Sequence, residues 1–162
     1  MGRARKLAAL GCISVALVVV VSEQSADAAV DGACDAQVNH SVIPVWAHAG
    51  FSSSNPRVPY VLGRSGRIVA ILFGYPLRSP VAPHRNNKIL WVSRTPAATP
   101  TALWIRAQRM EGRHPVGAAV EHVVRGGPGP SYVDVPKAGC WRLTLSWAGR
   151  TDSLDLAYST GI

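Results

Sequence analysis

Cys140-Trp141-Arg142-Leu143-Thr144-Leu145-Ser146-Trp147, followed after Ala148-Gly149-Arg150-Thr151-Asp152 by Ser153-Leu154-Asp155-Leu156-Ala157-Tyr158, is the stretch that decides the fold. Trp141, Leu143, Leu145 and Trp147 alternate with Arg142, Thr144 and Ser146, and then Leu154, Leu156 and Tyr158 alternate with Asp155 and Ala157. A period of two places one set of side chains on a core and the other in water, which is the signature of half-buried β-strands. The intervening Ala148–Asp152 segment reads as a short hairpin loop. Each Trp or Leu fully buried on the inward parity contributes roughly 1.5 to 3 kcal/mol, so this hairpin is expected to form a main wall of the core.

Working outward, β-branched and aromatic clusters recur between Gly, Pro, Ser and Asn punctuation. Further strands are expected at Val42–His48, Val58–Leu62, Arg67–Phe73, Lys88–Arg94, Ala102–Arg109, Val116–Val124 and Tyr132–Val135. Lys88-Ile89-Leu90-Trp91-Val92-Ser93 is apolar on both parities, as in a central strand covered on both sides. Val116, Ala119, Val120 and Val123 also satisfy helical spacing, but Gly117 is costly inside a helix and the Gly126-Gly127-Pro128 run ends the element at once, so a strand is expected there. The reading is all-β: an antiparallel sandwich of about seven to nine short strands. Gly74 to Asn87, with Pro76, Pro80 and Pro83, is the longest loop and the natural place for specificity.

At the other end of the chain, Arg3, Arg5 and Lys6 precede an apolar run from Leu7 to Val21, closed by Ser22, Glu23 and Gln24. A charged segment followed by about 15 apolar residues fits a secretory signal peptide better than a membrane span, which needs roughly 20. Ala26-Asp27-Ala28 offers the small side chains a signal peptidase accepts, which makes residues 1–28 the signal and 29–162 one domain. Retention of the segment as an anchor is the competing reading. Cys12 lies inside the apolar run and Cys34 lacks an aliphatic residue where a lipid-attachment motif requires one. Two cysteines therefore remain after cleavage, Cys34 and Cys140, and an even number in an oxidising compartment reads as one disulfide. Two separate buried thiols are the alternative.

The segments Asn87-Lys88-Ile89-Leu90-Trp91-Val92 and Pro136 to Trp147 resemble small secreted actinobacterial proteins with an immunoglobulin-like β-sandwich and no assigned activity. The resemblance implies that fold and export, and it carries over no catalytic residue. Arg outnumbering Lys 14 to 3 agrees with a GC-rich genome.

Sites for chemistry are sparse. Gly63-Arg64-Ser65-Gly66 is one residue short of a nucleophile elbow and reads as a turn between strands. Gly127-Pro128-Gly129-Pro130 cannot present a continuous N–H cradle to a phosphate, because proline has no N–H. The seven carboxylates after Ala28 form no paired motif, and His40, His48, His84, His114 and His122 match no metal-ligand spacing. No enzyme, no metal and no cofactor are expected; a small secreted hydrolase or a metal-binding sandwich is the alternative class.

Charge is the most distinctive feature. The chain carries 17 Lys and Arg against 9 Asp and Glu, a formal net charge of +8. Between Asp35 and Glu111 no carboxylate occurs, while Arg57, Arg64, Arg67, Arg78, Arg85, Lys88, Arg94, Arg106 and Arg109 all fall there. Cations in that number cannot all pair internally, and unpaired charge is prohibitive to bury, so a basic face toward an external anion is expected. On the strand Ala102–Arg109, inward Leu103, Ile105 and Ala107 leave Trp104, Arg106 and Gln108 outward, where a Trp beside an Arg can stack on a sugar or aromatic ring. Those three, with Arg78, Arg85 and Lys88 of the carboxylate-free region, are the candidate binding residues. The competing reading is that the Gly74–Asn87 loop packs on Trp104. The expected partner is an anionic cell-wall polymer or an anionic lipid surface. Nucleic acid ranks below both, since no nucleic-acid motif occurs.

Overall fold

In the computed structural model, which describes residues 1–2, 34 and 37–161, the deciding hairpin pairs in unbroken register from Gly139 opposite Tyr158 to Trp147 opposite Arg150. Only Ala148 and Gly149 turn the chain, with φ of 44° and 71°. Two consecutive left-handed residues are the geometry that matches the twist of a two-residue hairpin. The expected five-residue loop is thus shorter, and the second strand begins at Arg150 rather than Ser153. The cause is Asp152, an acid standing on the core parity with Leu154, Leu156 and Tyr158, which interrupts the apolar alternation in sequence but not the strand in space. Ala148 is a non-glycine residue in a conformation costing about 1 kcal/mol. Ala148→Asn is therefore expected to raise the unfolding free energy by about that amount, measured by denaturant titration; an unchanged or lower midpoint would contradict it.

Nine strands occur among the described residues: β1 (Tyr60–Leu62), β2 (Ile68–Leu72), β3 (Arg78–Ser79), β4 (Lys88–Ser93), β5 (Leu103–Glu111), β6 (His114–Val124), β7 (Pro130–Tyr132), β8 (Gly139–Trp147) and β9 (Arg150–Thr160). They form two sheets, ordered β1-β2-β4-β7 and β3-β9-β8-β5-β6. All pairings are antiparallel except that of β3 with the end of β9. The chain is all-β, with apolar side chains of both sheets meeting in one shared core. Ile68, Ala70 and Leu72 of β2 and Ile89 and Trp91 of β4 belong to the same cluster as Leu103, Ile105 and Ala107 of β5, Trp141 to Trp147 on alternate positions of β8, and Leu154, Leu156 and Tyr158 of β9.

Val42–His48, expected as a strand, instead holds a single 3-10 turn at Val45–Ala47. Pro44, which precedes that turn, has no N–H to donate to a ladder. Helical curvature brings Ile43 and Ala47 together, and both pack with Tyr60, Val69 and Ile71 in a second cluster on the outer side of the four-stranded sheet. His48 Nε2 closes the turn against the Ile43 carbonyl at 2.9 Å. Covered on both faces, β2 is buried along its whole length. Val116–Val124 is a strand, as expected, and Gly117 there takes a φ of 68° where two extra residues of β6 bulge out between the pairs Ala107–Val120 and Arg109–Val116. The strand expected at Tyr132–Val135 lies earlier, because beyond Tyr132 the chain leaves the ladder. The Val133 and Val135 carbonyls accept instead from the Tyr158 hydroxyl at 2.8 Å and the Ser79 hydroxyl at 2.6 Å.

Cys34 and Cys140, 106 positions apart in the chain, are joined in a disulfide with Cα atoms 5.2 Å apart. A disulfide points to an oxidising, extracytoplasmic compartment. Among the described residues, no helix is long and apolar enough to cross a membrane. Beyond Gly2, the segment expected to be a signal peptide lies outside the described residues.

Candidate functional site

The outward parity of the five-stranded sheet forms a ladder of polar side chains. Cross-strand pairing puts Trp104, Ser146 and Thr151 in one row, Arg106, Thr144 and Ser153 in the next, and Gln108, Arg142 and Asp155 in the third. Each row runs across β5, β8 and β9, two strand spacings or about 10 Å. Trp104 is 54% exposed at one margin of this face. The Gly74–Asn87 loop does not cover it: that loop carries β3, which pairs with Ser159 and Thr160 at the far end of β9. Arg106 reaches Glu121 of β6 at 3.2 Å in an exposed pair, of a kind worth no more than about 1 kcal/mol and free to exchange its partner. Gln108 sits where β5 and β6 slip register, and its amide donates to the Val116 carbonyl at 2.8 Å, so this side chain closes the bulge.

Opposite Trp104 the face is bounded by the turn between β1 and β2, which is held onto β9 by two acids. Asp155, although on the outward parity, has a side chain only 2% exposed, because Arg142 grips it through Nε at 2.9 Å and Nη2 at 3.1 Å while Arg64 Nη2 approaches at 2.7 Å. The forked contact is the strong form of the guanidinium–carboxylate pair. Asp152 enters the turn itself. Its Oδ1 accepts the N–H groups of Ser65 at 3.0 Å and Ser153 at 2.8 Å, and Oδ2 accepts the N–H of Arg67 at 3.0 Å. Gly63 makes room for it, since a Cβ there would collide with the carboxylate. Burial alone would raise the Asp152 pKa, but the bonds from Ser65, Ser153 and Arg67 together outweigh it and hold the pKa below the ordinary aspartate value.

Two depressions meet at this turn. An open trough of about 540 Å³ along the β9 margin is lined by Arg64, Arg67, Arg142, Thr144, Thr151 and Ser153, with Ser65 and Asp152. Around the corner, at the end of the molecule, a basin of about 250 Å³ is lined by Arg67, Arg94 and Arg150 with Ser65, Gly66, Ser93 and Thr95. Ser65 and Arg67 line both, so the trough leads into the basin.

The remaining candidates lie elsewhere. Lys88 opens β4 whereas Arg94 follows its last residue, a separation of about 20 Å along the strand. Lys88 stands over the Phe73 ring at 5.7 Å, Arg78 Nη1 donates to the Thr160 carbonyl at 3.0 Å, and Arg85 is exposed on the proline-rich loop. Trp104, Arg106 and Gln108 are thus brought together, and Arg78, Arg85 and Lys88 form a separate group at the opposite end. The basin residues Arg67, Arg94 and Arg150 escaped sequence reasoning as a group; the one available signal was that each adjoins a predicted turn or strand end. Among the described residues no three His, Cys, Asp or Glu side chains gather where they could hold a metal ion. Comparison with protein-family profiles, curated proteins and solved structures finds no match to the chain.

Proposed function

We propose that the protein is an exported immunoglobulin-like β-sandwich, with residues 1–28 as its signal peptide and 29–162 as its domain, that binds an anionic, sugar-containing polymer of the cell envelope without catalysis. The observation that carries this reading is the uncovered Trp104 at the margin of a face on which β8 and β9 present hydroxyls and guanidinium groups. An indole that no neighbouring segment covers is a flat apolar surface on which a sugar ring can stack. The Ser and Thr hydroxyls of the adjoining rows supply both donors and acceptors to a polyol, and the arginines supply charge to its anionic groups. The likeness of Asn87–Val92 and Pro136–Trp147 to secreted actinobacterial proteins and the Cys34–Cys140 disulfide both support an envelope location.

The test is retention of the purified protein on fractionated wall polymers across a salt series. Wild-type retention is expected to fall as ionic strength rises, because exposed charges are screened over about 10 Å at 0.1 M salt. Trp104→Ala is expected to weaken binding by up to about tenfold, corresponding to the 0.5–1.5 kcal/mol of an aromatic contact. Arg106→Ala should weaken it less. Both side chains are exposed, so thermal midpoints should stay near wild type. Equal retention of wild type and both variants would refute the proposal.

A further inference from the structure

We infer that the basin at the end of the molecule, bounded by Arg67, Arg94 and Arg150, is a binding site for a tetrahedral phosphate oxyanion. This deepens the polymer reading, on which its biological role rests, by naming the anionic group of the polymer as a phosphate diester.

The basin brings three guanidinium-bearing residues to one cavity from three separate elements: Arg67 from the end of the β1–β2 turn, Arg94 from just past β4, and Arg150 from the head of β9. No carboxylate lines it. Among the described residues none of the three arginines makes an ion pair, whereas Arg64, Arg106, Arg109 and Arg142 each have a carboxylate. Like charges gathered in one cavity repel, and the repulsion is relieved when an anion occupies the space between them. Asp152 lines the adjoining trough and not the basin, and both its oxygens already accept turn N–H groups, so it makes no ion pair with the three arginines.

Geometry selects the kind of anion. A carboxylate is planar and takes its donors near one plane, as Asp155 takes the Arg142 fork and Arg64. A phosphate sets its oxygens in tetrahedral directions, three or more of them free in inorganic phosphate and two in a diester, so donors can reach it from outside a single plane. The walls are fixed before any ligand arrives. Arg94 N–H donates to the Arg67 carbonyl at 2.8 Å, Trp147 Nε1 donates to the Ser93 hydroxyl at 3.1 Å, and Asp152 fixes the turn that carries Arg67. Arg67 Nη1 is further steadied by the Thr151 carbonyl at 3.3 Å. The backbone that carries the three side chains is thus fixed before binding, which leaves only side-chain freedom to be lost.

The experiment follows backbone and arginine side-chain NMR signals of the full-length secreted protein during titration with inorganic phosphate, with sodium chloride at matched ionic strength as control. A second arm uses a short poly(glycerol phosphate), which separates free phosphate from a polymer-borne diester. Saturable shifts confined to the vicinity of Ser65, Gly66, Arg67, Thr95 and Arg150 are expected, with at least tenfold weaker binding in Arg94→Gln and Arg150→Gln. Shifts reproduced by chloride, or unchanged affinity in both variants, would overturn the inference. Trp104→Ala serves as the separator. It should leave inorganic phosphate binding intact while weakening the polymer, so loss of the basin effect with retained Trp104 dependence sinks this inference alone, and the converse sinks the polymer platform alone.

Discussion

Replacing Cys34 and Cys140 together by alanine is expected to lower the unfolding free energy by about 4 to 5 kcal/mol. The disulfide closes 106 positions of chain, and in the chain-entropy account a loop of that size removes about that much from the unfolded ensemble. Among the described residues from Cys34 to Asn39, the only ladder contact is the isolated bridge from Asn39 to Tyr60, with hydrogen bonds of 2.8 and 3.0 Å. Denaturant unfolding of the oxidised protein and the double variant measures the effect. A difference below about 1 kcal/mol, or labelling of two thiols in the unreduced protein, would show that the bridge does not restrain the chain as argued.

Asp152→Ala is expected to cost about 3 to 5 kcal/mol, more than any surface substitution, because it strands three N–H donors and leaves a gap beside Gly63. A buried donor left without an acceptor costs roughly 1 to 3 kcal/mol, and these three, being part-buried, fall at the low end of that range. Asp152→Asn should cost less but still abolish the bond from either Arg67 or Ser65, since its amide nitrogen cannot accept. The pH dependence supplies a second readout. The folded pKa of Asp152 lies below its ordinary value of 3.8, so at intermediate pH the unfolded chain holds a proton that the native chain lacks. The associated stabilisation is complete above about pH 5 and is lost as pH falls through the folded pKa. Asp152→Asn should therefore flatten the acid limb of the stability profile. An acid limb identical to wild type would mean that the carboxylate does not hold the turn.

Much of the fold could be read from alternation alone, as β8 and β9 demonstrate, since burial of one parity is a local property of spacing. Pro44 misled in the opposite direction: Val42–His48 has the composition of a strand, but a residue without an N–H and an Ile43–Ala47 pair four apart favour a turn that caps the sheet. Asp152 shortened the expected strand for a related reason, because nothing local announces that a buried acid will find its donors 85 and 87 residues away in sequence. The outward set Trp104, Arg106 and Gln108 was legible from parity, yet the diversion of Gln108 into a bulge depends on β6 and was not. The excess of positive charge between Asp35 and Glu111 was equally plain in sequence, but its distribution was not: Arg67 and Arg94 from that region meet Arg150 from beyond it.

By itself the amino-acid order determined the all-β class, the strands whose faces alternate and the surplus of arginine, because each follows from spacing or composition over a few residues. Tertiary structure alone decided which arginines share a cavity, which acids are already satisfied by neighbouring N–H and guanidinium groups, and that Trp104 stays uncovered. Those properties depend on contacts between strands far apart in the chain, where register and layer packing set distances that no local pattern encodes.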